Sequence, residues 1–163
     1  MNKIKIEIYT DGSCHTDSSL GAWAAILFCD GEKIELKGTE TDTTHNRMEL
    51  LAVINAIEYA DTLQKQSLLT IYTDSQYVHL LPERMAKLKN NHFLTKKGTS
   101  IQNEDLVKHI ILLLETHCLE FVKVKAHQKK VPDSKNSPTN FNREVDILAR
   151  DTMRQWIKNN APK

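Results

Sequence analysis

The sequence has only three cysteines, Cys14, Cys29 and Cys118. They are odd in number and show no paired spacing, which argues against a disulfide framework and against a cysteine-built zinc site. A reducing cytoplasm is the expected home. No apolar run reaches the ~18 residues of a membrane span, and the first residues pass directly into a strand pattern without an apolar signal core. The expectation is a protein with no membrane role. Net charge is also nearly absent, with 22 Lys plus Arg against 21 Asp plus Glu. Bulk charge therefore cannot drive nucleic-acid binding, and any electrostatic recognition must come from local patches. No repeat of domain scale and no low-complexity tract divides the chain. Its 163 residues, 40% of them hydrophobic, suit a single domain, 1–163, with one substantial core.

What the sequence does contain is a doubled tripeptide, Tyr9-Thr10-Asp11 and Tyr72-Thr73-Asp74. Each copy closes a strand-like run: Lys3 to Ile8 alternates polar and apolar, and Leu68 to Tyr72 is rich in β-formers. If the two strands lie parallel and adjacent, roughly 4.8 Å apart, Asp11 and Asp74 stand side by side. At that separation they repel by about 4 kcal/mol at an effective dielectric of ~20. A divalent cation is the usual reason to keep such a pair. The competing reading makes each Asp a turn residue, since Asp-Gly-Ser and Asp-Ser are ordinary turn sequences.

After Asp11 a Gly/Ser-containing loop is expected from Gly12 to Ser19. A buried strand then follows over Gly21 to Phe28, a two-residue turn at Asp30-Gly31, and a returning strand from Lys33 to Gly38. The opening is thus an antiparallel meander. From Asn46 to Ala60 apolar residues cover nearly every face, predicting a buried helix. A right-handed crossover from that helix places the second Tyr-Thr-Asp strand parallel to the first. Ser75 to Leu81 and Glu83 to Lys89 read as short helices around Pro82, and a helix capped by Asn103 is expected to run to about His117. Leu119 to Val124 forms the final strand. A long loop, Gln128 to Phe141, leads to a last helix capped by Asn140 or Asn142, with a fraying end after Trp156.

Two further acids sit in apolar surroundings, where a carboxylate is costly unless paired or bound to metal. Glu49 falls in the first turn of the central helix and Asp146 opens the last one. The alternative for both is a favourable first-turn acid, worth under ~1 kcal/mol.

The segments Tyr9-Thr10-Asp11-Gly12-Ser13-Cys14, Thr44-His45-Asn46-Arg47-Met48-Glu49-Leu50, Tyr72-Thr73-Asp74-Ser75-Gln76-Tyr77-Val78, Val122-Lys123-Val124-Lys125-Ala126-His127 and Asn142-Arg143-Glu144-Val145-Asp146-Ile147-Leu148-Ala149 occur in this order across nearly the whole chain. Together they resemble the successive motifs of the type 1 ribonuclease H family. The resemblance implies an α/β, ribonuclease H-like fold, a five-stranded mixed sheet of order 3-2-1-4-5 flanked by helices. It implies that Asp11, Glu49, Asp74 and Asp146 hold two Mg²⁺ ions, or Mn²⁺, to hydrolyse the RNA strand of an RNA/DNA hybrid and leave 3′-hydroxyl and 5′-phosphate ends. By motif position Asp11 bridges both ions, Glu49 and Asp74 hold the first, and Asp146 holds the second. His127 matches a loop histidine that assists proton transfer or product release. In this chain Ala126 and Gln128 replace the family's glycine-containing surroundings, and the interval to Asp146 is long.

Substrate contacts implied by motif match are Gly12, Ser13, Cys14, Thr44, Asn46 and Gln76. Asn and Gln side chains both donate and accept, which suits the 2′-hydroxyl that marks RNA. Between Lys87 and Lys97 stand four lysines, Lys87, Lys89, Lys96 and Lys97, with no acid, a reduced form of the family's basic handle. Its tryptophans are absent, because the only two in the chain are Trp23 and Trp156. Lys89, Lys96 and Lys97 are the expected phosphate contacts, and Lys123, Lys125, Lys129, Lys130 and Lys135 form a second basic patch whose binding would fall with salt. Nothing demands an obligatory protein partner, so a monomer is expected. The alternatives are a nuclease of the same fold with another nucleic-acid substrate, or a hybrid-binding module without catalysis.

Overall fold

The computed structural model describes residues 3–63, 66–126, 129 and 137–160. A five-stranded sheet of order β3-β2-β1-β4-β5 organises the chain. The strands are β1 (Lys5–His15), β2 (Leu20–Cys29), β3 (Glu32–Glu40), β4 (Leu68–Thr73) and β5 (Cys118–Lys123). The helices are α1 (His45–Leu63), α2 (Gln76–His79), α3 (Leu81–Asn90), α4 (Glu104–Thr116) and α5 (Pro138–Asn160). The predicted meander is present: β1 pairs antiparallel with β2, and β2 with β3. Asp30 and Gly31 both take positive φ, 50° and 79°, the requirement of the tight hairpin turn between β2 and β3.

Side-chain alternation divides the apolar residues between two faces. Ile6, Ile8, Ala25, Leu27, Leu69 and Ile71 join α1 and α4 in the larger core. Tyr9, Ala24 and Ile26 point the other way and pack with Val145 and Ala149 of α5. This explains why β2 is apolar at successive positions: it is covered on both sides. In β3, Ile34 and Leu36 pack toward the larger core, whereas Lys33 reaches Glu144 on α5.

The two Tyr-Thr-Asp copies are in register. β1 and β4 pair in parallel from Lys5↔Leu68 to Tyr9↔Tyr72. The two tyrosine rings stack with centroids 4.5 Å apart and planes 7° from parallel. Beyond Tyr9 the ladder to β4 stops, while the ladder to β2 continues to His15↔Leu20. A crevice therefore opens between β1 and β4 beside Asp11 and Asp74, at the carboxyl ends of parallel strands where open α/β sheets place their sites.

Several local expectations need correction. Gly12 to His15 is strand rather than loop, because pairing with β2 overrides its turn-forming residues. Asp11 therefore lies inside a strand, which removes its turn reading. α1 begins at His45, with the Thr44 hydroxyl accepting from the Arg47 N–H at 3.2 Å, so Glu49 lies beyond the first turn and gains no capping benefit. Asn103 precedes α4 with φ 57° but makes no side-chain cap. α5 starts at Pro138, and Ser137 rather than Asn140 or Asn142 caps it, its hydroxyl accepting from the Asn140 N–H at 3.2 Å. Asp146 thus lies two turns inside α5, which continues past Trp156 to Asn160.

α1 lies against β1 through Gly12. A Cβ there would stand 2.7 Å from Glu49 N and 2.8 Å from Met48 C, both backbone atoms that cannot yield without moving the helix. Gly12→Ala is expected to lower unfolding free energy in urea by about 2 kcal/mol, within the usual range for overpacking. A loss below about 0.5 kcal/mol would show that α1 is free to shift.

Candidate metal centre

Three elements bring acids to the crevice. Asp11 comes from β1, Asp74 from the end of β4, and Glu49 from α1 on the covered face. Each offers an oxygen such that all three atoms lie within 4.8 Å of one another. Glu49 is fully buried and Asp11 is 3% exposed, while Asp74 is half-buried. Gly12 N–H donates to Asp11 Oδ1 at 2.9 Å. Neither Glu49 oxygen finds a hydrogen-bond donor of good geometry, although His45 Nε2 lies 3.3 Å from its Oε1.

Asp146 approaches from α5 and is placed differently. Its Oδ2 pairs with Arg150 Nη2 at 2.9 Å, and the side chain is 14% exposed. It lies outside the tight group of three but is close enough to hydrogen-bond Asp11 when a proton is present.

Burial, first of all, drives the Asp11 carboxyl well above its usual range, followed by the charge of Glu49, a hydrogen bond with it, the charge of Asp74 and a hydrogen bond with Asp146. Glu49 is pushed up to about 8, chiefly by burial, with Asp74 and Asp146 adding repulsion, while Asp11 and the Gly12 N–H partly offset it. As carboxylates these groups only accept, so Asp11 and Glu49 can hydrogen-bond each other only by holding a proton between them. A divalent cation would meet the same need. Buried Glu49 oxygens without a donor of good geometry, in an all-carboxylate set, fit a hard ion such as Mg²⁺ or Mn²⁺.

Around this centre, residues Gly12 to Cys14 pair with β2 along one edge, leaving the other edge of β1 without a partner strand. Ser13 Oγ lies 3.6 Å from Met153 Sδ, and Cys14 Sγ lies 3.6 Å from the Thr43 carbonyl. Thr44, Asn46 and Gln76 are exposed, the first two at the N-terminus of α1 and Gln76 at the start of α2. The Thr44 hydroxyl accepts in capping α1 but keeps its own proton to donate.

His127, Lys130 and Lys135 lie outside the described residues. The chain leading to His127 is held at Lys125, whose carbonyl accepts from Asn142 Nδ2 at 3.4 Å. In the basic segment Lys96 and Lys97 are exposed in a turn closed by Gly98 N–H donating to the Thr95 carbonyl at 2.9 Å. Lys89 instead pairs with Glu115 of α4 at 2.9 Å, so part of its charge is already neutralised. Two basic residues beyond the expected ligands join the site, His45 beside Glu49 and Arg150 beside Asp146. Both stand four positions from an acid on the same helix, a spacing visible in the sequence.

A sequence model of the RNase H family matches residues 3–154. Among curated relatives, the chain is similar to Ribonuclease H of Caldanaerobacter subterraneus subsp. tengcongensis, 35% identical over 157 residues that make up 95% of either chain. It is 38% identical to Ribonuclease H of Chlorobium limicola over 161 residues, covering 98% of this chain and 99% of that one. Among solved structures, LC9-RNase H1, a type 1 RNase H with the type 2 active-site motif, superposes with a TM-score of 0.77 at 20% identity, over 95% of this chain and 74% of that chain. LC11-RNase H1 in complex with RNA/DNA hybrid gives 0.67 at 16% identity, over 93% and 99%.

The fold and the carboxylate cluster define a metal-compatible enzyme of the ribonuclease H class. The chain belongs to the ribonuclease H family.

Because the Asp11 and Glu49 carboxyls are raised in the folded state, folding without metal takes up protons. That contribution to stability is complete below the unfolded carboxyl range, near pH 4, and is lost as pH rises through about 8 for Glu49. In EDTA the unfolding free energy should therefore fall between pH 5 and about 8, by up to ~1.4 kcal/mol per pH unit for each proton taken up. Saturating Mg²⁺ or Glu49→Gln should flatten the slope. A slope equal with and without EDTA would contradict the crowding of charge at this centre.

Proposed function

We propose that the protein hydrolyses the RNA strand of RNA/DNA hybrids at a two-cation centre, leaving 3′-hydroxyl and 5′-phosphate ends, and that it does so as a monomer. The observation carrying this reading is the convergence of Asp11, Glu49 and Asp74 within 4.8 Å, with Asp146 beside Asp11. Further support comes from the family, and from a similar fold whose solved structure contains an RNA/DNA hybrid.

Each side chain has a task on this reading. Asp11 is within hydrogen-bonding reach of both Glu49 and Asp146, so on this reading it would serve both ions. Glu49 and Asp74 complete the first set, and Asp146 supplies the second. When bound, Mg²⁺ or Mn²⁺ lowers the pKa of an attacking water and neutralises charge on the reacting phosphate and departing oxygen. The unpaired edge of Gly12 to Cys14, together with Thr44, Asn46 and Gln76, offers donors and acceptors to sugar hydroxyls and base edges of the hybrid. Lys96 and Lys97 offer exposed ammonium groups to phosphates. Lys89 must leave Glu115 to do the same. His127 assists proton transfer or product release.

Labelled hybrid, single-stranded RNA, double-stranded RNA and duplex DNA, each incubated with Mg²⁺ or Mn²⁺, test the class. Cleavage should be confined to the RNA strand of the hybrid; cutting of duplex DNA would instead favour another nuclease of this fold, and binding without cutting a non-catalytic module. Asp11→Asn and Asp74→Asn should each reduce kcat by about 10²-fold or more, the effect of losing roughly 3 kcal/mol of charge stabilisation. Near-normal turnover in either would remove the two-cation assignment, and His127→Ala should slow turnover without abolishing it.

Substrate engagement has a separate readout. Neutralising Lys96 and Lys97 together should raise KM and reduce the salt slope of binding by about 2, one for each phosphate no longer neutralised. An unchanged slope would return the segment to an ordinary solvated turn.

A further inference from the structure

Resting on the reading of the four acids as cation ligands, we propose that Arg150 is a built-in counter-cation for Asp146, one that the second divalent ion must displace. The centre would then load its ions in order, the Asp11/Glu49/Asp74 set first and Asp146 second.

The acids are not equivalent before any ion arrives. Asp11, Glu49 and Asp74 crowd together, and neither Glu49 oxygen has a hydrogen-bond donor of good geometry, although His45 Nε2 lies 3.3 Å from Oε1. A proton or a cation among them relieves their mutual repulsion. Asp146 has its relief already, a guanidinium 2.9 Å from Oδ2. The pair stands at i,i+4 with the acid N-terminal, the orientation that helices favour. Asp146 is the sheltered partner, its side chain 14% exposed, whereas Arg150 is 41% exposed, so solvent and salt screen the pair in part.

Arg150 is held by little else among the described residues. Its Nε is buried without a hydrogen-bond partner, and Asp146 is the acid with which it forms an ion pair. Such a guanidinium occupies lone pairs of Oδ2 that an ion would need, and its positive charge opposes a second cation at the same carboxylate. Removing it should therefore favour the second ion selectively. A purely structural Arg150 would alter folding stability but would not discriminate between two ions.

The test is titration of the full chain with Mn²⁺ alone, without nucleic acid, counting bound ions by electron paramagnetic resonance and measuring affinities by calorimetry. Wild type should show a stronger and a weaker site. Arg150→Gln should tighten the weaker site by about three- to tenfold, the scale of an ion pair worth up to ~1.4 kcal/mol, and leave the stronger one unchanged. Arg150→Lys keeps the charge but not the planar fork, so it should give a smaller gain and serves if the glutamine variant does not fold. Adding Asp146→Asn to Arg150→Gln should abolish the gain. Equal weak-site affinity in wild type and both Arg150 variants, or equal tightening of both sites, would overturn the proposal while leaving the metal reading intact. Failure of wild type to take up Mn²⁺ saturably would overturn the metal reading and this proposal with it.

Discussion

Like-charge crowding at the head of β1 is the constraint to which the surrounding structure answers. Unscreened by a proton or an ion, carboxylates within 4.8 Å of one another repel by about 3.5 kcal/mol or more per pair at an effective dielectric of ~20. Glu49 adds the cost of complete burial. The fold opposes this with contacts that leave the acids nowhere to go. In-register pairing of β1 with β4 up to Tyr9 and Tyr72 fixes the segments that carry Asp11 and Asp74, and the two tyrosine rings stack just before them. α1 is seated against β1 where Gly12 leaves no room for a Cβ, and Gly21 makes a similar close approach to Thr43 and Met48. Stability invested in these contacts holds a charge arrangement that a cation relieves.

The parts of this arrangement that were legible in the sequence share a short physical range. The doubled Tyr-Thr-Asp announced strand ends because β periodicity is local, and the crossover rule supplied adjacency. Glu49 was conspicuous because the helix around it is apolar at almost every position. Longer-range competition was harder to see. Gly12 and Ser13 have turn chemistry, yet β1 runs through them because β2 offers a ladder as far as Leu20. The start of α5 at Ser137-Pro138 was masked by its setting in a proline-containing loop, although a serine followed by proline is itself a helix-start pattern. Lys89 was grouped with Lys96 and Lys97 as a phosphate contact, and only the docking of α3 against α4 brings Glu115 to it.

α5 emerges as the element that joins the otherwise separate parts. Asn142, Asp146 and Arg150 recur every four residues and therefore share one face. The first holds the Lys125 carbonyl at the approach to His127, and the second reaches toward Asp11. The third neutralises the second. Val145 and Ala149, their neighbours in sequence, bury this helix against Tyr9 and Ile26, while Lys33 on β3 pairs with Glu144. A displacement of α5 would thus move the fourth acid, its counter-charge and the Asn142 that holds the Lys125 carbonyl together. The three acids on β1, β4 and α1 would remain within a sheet-and-helix unit of their own. The centre consequently has a fixed part, set by strand register, and a part whose position depends on a single helix packed through a small aromatic and aliphatic core. Any adjustment of the centre is easiest on that second part, because moving α5 disturbs few ladder hydrogen bonds, whereas moving Asp11 or Asp74 would break the sheet.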